Sequence, residues 1–157
     1  MSKAGSLFLL VAAPILAVDQ ATKLAVQSRL NLWESVPIIP GVLHISFVAN
    51  RGAAFGLMKG LSWFLIPTSL IALVFILIYY RTYRHSRWMQ VALGLLLGGA
   101  LGNLIDRVRL GYVVDFIDFR WWPSFNVADM AICVGAGMLG YYLAFKKGSE
   151  RDEVKVG

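Results

Sequence analysis

The sequence contains very few of the side chains on which most nucleophilic and metal-dependent enzymes rely. Cys133 is the only cysteine, so no disulfide can form within the chain, and the two histidines, His44 and His85, lie far apart. A serine–histidine–aspartate triad and a metal site of clustered histidines or cysteines therefore have no support. Cys133 itself lies in an apolar run without a neighbouring histidine, which indicates a buried packing residue.

Charged residues are also scarce, at 15%, whereas 58% of the 157 residues are hydrophobic. Soluble domains contain about 45–50% apolar residues, so the composition indicates a membrane protein, and the length fits a single domain, residues 1–157. The net charge of +6 could suggest a nucleic-acid partner. The basic residues lie mostly between or beyond the apolar runs, however, where membrane topology accounts for them, and no nucleic acid is expected to bind.

Four apolar stretches approach the ~20 residues that a helix needs to cross the hydrocarbon core. They cover approximately residues 5–28, 61–80, 88–107 and 126–145. An all-α membrane protein with four transmembrane helices is therefore predicted. In the third stretch Gly94, Gly98 and Gly102 recur every four residues, a stripe of small residues that lets another helix approach closely.

The two longer connecting segments, about 30–60 and 108–125, differ in character. Prolines and a glycine interrupt the first segment, and residues 43–48 alternate in polarity like a half-buried strand. A small extracytoplasmic β element between helices 1 and 2 is predicted from this pattern. The second segment contains the pair Trp121–Trp122, which is typical of the headgroup region of a membrane.

The distribution of basic residues predicts the orientation. An even number of spans places both termini on one side of the membrane. Lys3, the arginine-rich loop at 81–87 and the lysine-rich tail at 146–155 mark that side as cytoplasmic. The two longer segments then lie on the outer side.

Several polar and ionisable residues stand inside or at the ends of the predicted spans. Each ionisable residue there costs about 2.5–3.5 kcal/mol on insertion scales and marks function by default. Asp19 and Lys23 stand one turn apart on the first helix, where they can pair. The others are Asn103, Asp106 and Arg107 at the end of the third helix and Asp129 at the start of the fourth. These three helix ends lie at one membrane face in either orientation, so the polar side chains converge there.

Carboxylates alone could hold Mg²⁺ or Ca²⁺, but no ligand loop for these ions is present. What remains is acid–base chemistry by two carboxyl groups that share a proton, which needs no cofactor or metal. The candidates are Asp19, Asp106, Asp115, Asp118 and Asp129. Asp19 has Lys23 and Asp106 has Arg107 as a cation that would hold it ionised. Spacing does not select a pair from the five.

Local structure separates the remaining three aspartates further. Asp115 and Asp118 would point to opposite faces of a strand but to one face of a helix. Asp129 follows Asn126, a good N-cap, and a position near a helix N-terminus favours the anionic form of a carboxyl group. Asp129 is therefore the expected base and Asp115 the expected acid, although the proton belongs to the pair.

Two other classes of function use the same residues. In a small transporter or channel, Asp19, Lys23, Asp115 and Asp129 would form an ion path, and in a membrane scaffold the glycine stripe would assemble partners. An ion path needs polar residues through the full depth of the bilayer, whereas here they stop near one face. The charged groups argue against a scaffold.

Five short strings, spread in order over nearly the whole chain, resemble one known family. They are DQATK at 19–23, NRGAAFG at 50–56, GGALGNLIDR at 98–107, VVDFIDF at 113–119 and FNVAD at 125–129. Together they resemble the lipoprotein signal peptidases (signal peptidase II), a bacterial family of four-span aspartic peptidases. Met130 departs from the family, which more often has a small hydroxyl residue after the last aspartate.

The resemblance implies a catalytic dyad of Asp115 and Asp129. The residues implied to shape or support the site are Asp19, Lys23, Asn50, Gly52, Gly99, Asn103, Arg107 and Asn126. The implied reaction removes the signal peptide from a prolipoprotein, just before a cysteine that carries diacylglycerol, at the outer face of the bacterial cytoplasmic membrane. The implied partners are lipidated prolipoproteins, membrane lipids and globomycin-type inhibitors, and a monomer is expected.

Overall fold

The computed structural model describes residues 6–52 and 62–146. Its helices are α1 (Ser6–Arg29), α2 (Ser62–Tyr83), α3 (Arg87–Leu110) and α4 (Val127–Tyr141), and its strands are β1 (Ser35–Ile39), β2 (Leu43–Asn50) and β3 (Val113–Asp118). A π-helical turn, Tyr142–Lys146, extends α4. Some predictions fall outside the described residues. They are the helix starts at residues 5 and 61, the position of Lys3, and the basic residues beyond Lys146.

Four helices are long and apolar enough to cross a membrane, as predicted. The spans are Leu7–Arg29, Leu65–Tyr83, Arg87–Leu110 and Val127–Phe145. Together with the small sheet formed by β1, β2 and β3, they confirm the predicted fold class.

The helix α3 lies at the centre of the bundle and packs against α1, α2 and α4. Its glycine stripe faces α1, since a Cβ added at Gly94 would lie 2.8 Å from the carbonyl oxygen of Phe8 and one at Gly98 would lie 2.7 Å from that of Ala12. The predicted packing role of the stripe is confirmed. On another side of α3, α4 packs just as closely, since a Cβ added at Gly135 would lie 2.8 Å from the carbonyl oxygen of Ala92.

The prediction that Cys133 is buried is wrong. Cys133 is exposed on α4, because α4 meets its neighbours through the stripe of Ala128, Ala131 and Gly135, all of which are buried. Cys133 lies off that stripe. An apolar run in a membrane helix does not show which of its residues face protein and which face lipid.

The sheet draws strands from both of the longer connecting segments, the one between α1 and α2 and the one between α3 and α4. Its strand order is β1-β2-β3 with antiparallel pairing, and Val48 of β2 lies opposite Asp115 of β3. Gly111 ends α3 in the left-handed conformation, with φ of 76°, and its N–H donates to the carbonyl oxygen of Arg107. This cap turns the chain sharply from α3 into β3. The segment around Asp115, for which the sequence allowed either a helix or a strand, is therefore extended.

Two apolar clusters enclose a polar layer. One cluster joins the first half of α1 to α2 and α3, and its buried members are Phe8, Ala12, Ile76, Met89, Leu93, Leu97 and Tyr142. The other lies under the sheet and contains Val26, Phe47, Val114 and Phe116. Between them, α1 carries Asp19 and Lys23 and α3 carries Asn103 and Asp106, all buried.

A larger residue in the glycine stripe should separate α1 from α3. We expect Gly98→Ala to lower the free energy of unfolding by about 1–3 kcal/mol, because the new methyl group overpacks the contact with Ala12. Gly137→Ala is the matched control, since a Cβ there meets nothing within 4 Å and alanine favours the helix by about 0.5–1 kcal/mol. Thermal unfolding in detergent micelles measures both, and an unchanged or raised melting temperature for Gly98→Ala would contradict the expected packing.

Candidate active site

Asp115 and Asp129 are joined through a single side chain, that of Asn126. The Asn126 amide nitrogen donates to Asp115 Oδ1 at 2.7 Å, and its Oδ1 accepts from the backbone N–H of Asp129 at 2.9 Å. The backbone N–H of Asn126 donates in turn to Asp129 Oδ2 at 3.3 Å. Asn126 is thus the N-cap of α4 in a capping box. The same cap that starts α4 holds the two carboxyl groups next to each other.

Two further asparagines bind the other carboxylate oxygens. Asn103 donates to Asp129 Oδ1 at 2.8 Å, and Asn50 donates to Asp115 Oδ2 at 2.8 Å. Asn50 is itself oriented by the N–H of Gly52, which donates to its Oδ1 at 2.9 Å. Gly52 has φ of 86°, a conformation that glycine adopts without strain. Each of the four carboxylate oxygens therefore has one donor from the protein.

The two carboxyl groups on β3 have opposite electrostatic environments. Burial, together with the negative charge of Asp129, raises the pKa of Asp115 to about 7, and hydrogen bonds from Asn50 and Asn126 oppose this only in part. Asp118 is also buried, but hydrogen bonds from Arg120 and Ser46 outweigh that burial and lower its pKa. Asp118 thus stays ionised in its own network with Ser46 and Arg120. Asp115 is the carboxyl group of this strand that holds a proton near neutral pH.

A buried ion-pair cluster lies beneath the asparagines. The Lys23 ammonium lies 2.8 Å from Asp19 Oδ2 and 3.0 Å from Asp106 Oδ2, and it donates to Asn103 Oδ1 at 3.0 Å. Lys23 is 1% exposed and Asp19 is fully buried. The predicted Asp19–Lys23 pair is confirmed. The charge partner predicted for Asp106 was Arg107, whereas its ion pair in the structure is with Lys23.

That difference follows from the faces of α3. Asp106 continues the four-residue spacing of the glycine stripe and so faces α1, whereas Arg107 lies one position further round the helix. Arg107 is half-buried, and its guanidinium interacts electrostatically with Asp129 and Asp115 as well as with Asp106.

Gln20 is a residue of the cluster that the sequence analysis missed. Its amide nitrogen donates to Asp19 Oδ2 at 3.2 Å, Asp106 Oδ1 at 3.1 Å and the carbonyl oxygen of Gly102 at 3.2 Å. Its position next to Asp19 in an otherwise apolar span was the available signal, because a polar amide in a membrane helix needs a partner.

Glycines of α3 bring the polar residues of the three helices within reach. A Cβ at Gly99 would lie 2.5 Å from the carbonyl oxygen of Ala128, so the first turn of α4 rests directly on α3. A Cβ at Gly102 would overlap the Asp19 carboxylate. Gly99, one of the predicted site residues, therefore contributes a close approach rather than a polar group. The close approach of α4 places Asp129 beside Asn103.

The site has the composition of an acid–base catalyst. Among residues 6–52 and 62–146, no group of three or more histidine, cysteine, aspartate or glutamate side chains is arranged to hold a metal ion. A protonated carboxyl group beside an ionised one, by contrast, can give a proton to one atom and take a proton from another in the same step.

Comparisons with known proteins agree on one family. A model of the signal peptidase (SPase) II family matches residues 11–145. The lipoprotein signal peptidase of Halothermothrix orenii is 47% identical over 129 residues, which cover 82% of this chain and 89% of the relative. The lipoprotein signal peptidase of Syntrophotalea carbinolica is 48% identical over 141 residues, covering 85% of this chain and 88% of the relative.

Two solved structures of bacterial membrane enzymes share the fold. One superposes with a TM-score of 0.79 at 34% identity and covers 92% of this chain and 90% of that chain. The other has a TM-score of 0.78 at 35% identity and covers 87% of this chain and 91% of that chain.

The raised pKa of Asp115 predicts a carboxyl group that is protonated below about pH 7 and ionises above it. Infrared difference spectra recorded across a pH titration should show this group in the wild type and lose it in Asp115→Asn. In Asp129→Asn the transition should move to lower pH, because the negative charge that raises the pKa is gone. An Asp115→Asn spectrum that still contains a carboxyl transition near neutral pH would contradict the assignment.

Proposed function

The chain belongs to the signal peptidase (SPase) II family, and from that membership we propose that Asp115 and Asp129 are the two catalytic carboxyl groups. As a member of the family, the protein is a membrane-embedded peptidase that cleaves signal peptides from prolipoproteins. The observation that carries the proposal is the double use of Asn126, which bonds to Asp115 and Asp129 at once.

The two aspartates take different roles in the resting site. Asp115 holds the proton, since burial and the charge of Asp129 raise its pKa to about 7. Asp129 is the base, since it lies in the first turn of α4, where the helix dipole and the N–H of Asn126 favour a carboxylate. The pair therefore starts the reaction with one proton between the two groups.

Hydrolysis then needs only water as a second reactant. Asp129 removes a proton from a water molecule as its oxygen bonds to the carbonyl carbon, and Asp115 gives its proton to the carbonyl oxygen, which forms a tetrahedral diol. Asp129 next passes its proton to the amide nitrogen, the carbon–nitrogen bond breaks, and a diol hydroxyl returns a proton to Asp115 as the carboxylic acid product forms. The dyad ends in its starting state.

We propose that the substrate carries diacylglycerol on the cysteine that follows the cleaved bond. The acyl chains would hold that cysteine at a fixed depth in the membrane, so the bond arrives at the dyad already positioned, which removes part of the entropic barrier. The residues around the sheet suit a position at the headgroups, since Trp33, Trp121 and Trp122 are all exposed.

The orientation we propose places the site on the outer face of the bacterial cytoplasmic membrane, with both termini in the cytoplasm. The turn between α2 and α3 supports this orientation, because Arg81, Arg84 and Arg87 are exposed at the end of the bundle opposite the site. We further propose that the chain acts as a monomer and that globomycin-type peptides block the same site, since the dyad and its supporting residues all belong to one chain.

Removal of either carboxyl group should abolish the reaction. Asp115→Asn and Asp129→Asn should each reduce cleavage of a diacylglyceryl-modified prolipoprotein by roughly 10²–10⁴-fold, the usual contribution of general acid–base groups. Cleavage by the purified protein is measured as the change in substrate mobility on a gel. A variant of either aspartate that cuts at the wild-type rate would refute the dyad.

Asp118→Asn is the control for this experiment, because Asp118 is a buried carboxylate of the same strand with partners outside the dyad, Ser46 and Arg120. We expect its rate to stay within about twofold of the wild type. Unmodified prolipoprotein should remain uncut by all proteins, and efficient cleavage of it would contradict the proposed substrate while leaving the dyad in place.

Cysteine labelling tests the orientation. In a Cys133→Ala background, Val42→Cys in the turn between β1 and β2 should react with a membrane-impermeant maleimide on intact spheroplasts. His85→Cys, in the turn between α2 and α3, should react only after lysis, because that turn faces the cytoplasm. Both positions are exposed, so the reverse pattern of labelling would mean the opposite orientation.

A further inference from the structure

Two carboxylates that take no part in the dyad are arranged around it in the same way. Asp19 Oδ1 accepts the backbone N–H of Ala128 at 2.9 Å, and Ala128 immediately precedes Asp129. Asp106 Oδ2 accepts the backbone N–H of Val114 at 3.0 Å, and Val114 immediately precedes Asp115. Each supporting aspartate therefore fixes the backbone of the residue that precedes one proposed catalytic aspartate.

A single cation connects these two attachments. The Lys23 ammonium has three hydrogens, and its three acceptors are Asp19 Oδ2, Asp106 Oδ2 and Asn103 Oδ1. No hydrogen remains for a substrate, and the side chain is 1% exposed. Lys23 thus acts through its partners and not by contact with a bound peptide.

Gln20 makes a second connection between the same two carboxylates. Its amide nitrogen reaches Asp19 Oδ2 at 3.2 Å and Asp106 Oδ1 at 3.1 Å. Asp106 is consequently bound from two sides, by Gln20 and Lys23 of α1 and by the backbone N–H of Val114 on β3. A displacement of Asp106 would move Val114, and with it Asp115.

Lys23 also sets the orientation of an amide that binds the dyad. Because its ammonium donates to Asn103 Oδ1, the Asn103 amide nitrogen must point the other way, where it donates to Asp129 Oδ1 at 2.8 Å. A carboxamide held by a cation at its oxygen can present only its donor to the reacting carboxylate.

We propose that Asp106 and Gln20, with Lys23 and Asp19, form a positioning clamp that sets the separation of the two reacting carboxyl groups, Asp106 being the positioning residue for Asp115 and Asp19 that for Asp129. The clamp rests on the proposed dyad, whose position it explains. Its members come from α1 and α3, and the groups that it fixes lie on β3 and α4. The clamp therefore transmits the packing of the two central helices to the reaction centre.

Asp106→Asn tests the part of the clamp that positions Asp115 through the backbone of Val114. An asparagine keeps the size of the side chain but offers one oxygen, so either Gln20 loses the acceptor that Oδ1 provides, or Val114 and Lys23 lose the Oδ2 that they share. We expect kcat to fall by roughly 10²-fold, as for a displacement of about 1 Å at the reacting atoms, while KM stays within about twofold. The alkaline limb of the kcat profile should also move to lower pH, because a negative charge near Asp115 is lost and the charge of Lys23 is less compensated.

Gln20→Leu provides a second variant that is less severe for folding, since Gln20 is only partly buried and Lys23 still joins the two carboxylates. We expect kcat to fall by at least about fivefold, the effect of a single lost hydrogen bond, because Gln20 bonds to both Asp19 and Asp106, again with KM unchanged. Both variants are compared per folded molecule, with the folded fraction taken from size-exclusion chromatography and thermal unfolding in detergent. A purely structural role would reduce the folded fraction and leave kcat and the pH profile as in the wild type.

Asp118→Asn is again the matched control, because Asp118 also accepts a backbone N–H and pairs with a cation, both from Arg120, without any link to the dyad. The clamp would be refuted if Asp106→Asn and Gln20→Leu both kept the wild-type kcat and pH profile. If Asp115→Asn were inactive in the same experiment, the dyad would remain supported. If Asp106→Asn does not fold, Gln20→Leu alone decides. An active Asp115→Asn would instead refute the dyad itself.

Discussion

A lysine ammonium buried at the depth of a lipid bilayer needs an acceptor for every one of its hydrogens, and most of the site follows from how Lys23 meets that requirement. Two of its acceptors, Asp106 and Asn103, lie on α3, so these two contacts can form only if α1 and α3 pack closely. The glycine stripe of α3 provides that close packing. The electrostatic and the steric requirements of the two helices are thus met by the same face of α3.

The same constraint bears on the proton that the proposed dyad, Asp115 and Asp129, shares. When one proton is shared, Asp19, Asp106 and one of the dyad carboxyl groups are anionic, whereas the cations nearby are Lys23 and Arg107. The single positive charge of Lys23 is already shared between Asp19 and Asp106. Burial of Asp115 within the sheet, and then the negative charge of Asp129, raise the pKa of Asp115 to about 7, and Lys23 opposes this only weakly. The asparagines position both carboxyl groups without adding charge.

The sequence was sufficient for the four spans and for the convergence of the polar residues, because hydrophobic length and helix parity are local and additive properties. It was insufficient for the choice between Asp115 and Asp118, which depends on hydrogen bonds to Asp118 from Ser46, across the sheet, and from Arg120, two residues further along the chain. The partner of Asp106 could have been predicted, since Asp106 continues the spacing of the glycine stripe towards α1. The proximity of Arg107 in sequence was the weaker guide, because adjacent residues of a helix face different neighbours.

The exposure of Cys133 could not be predicted in this way, because lipid and protein are equally apolar surroundings for a membrane helix.

The i, i+4 relation of Asp19 and Lys23 has a consequence for biogenesis. When α1 leaves the ribosome and enters the bilayer, its two charges can already neutralise each other within one turn, before any other helix has been made. The later helices then complete the polar cluster, and α4, the last to be synthesised, brings Asp129. The nascent chain can therefore insert Asp19 and Lys23 as a neutral pair, and the proposed dyad of Asp115 and Asp129 is complete only once α4 has docked.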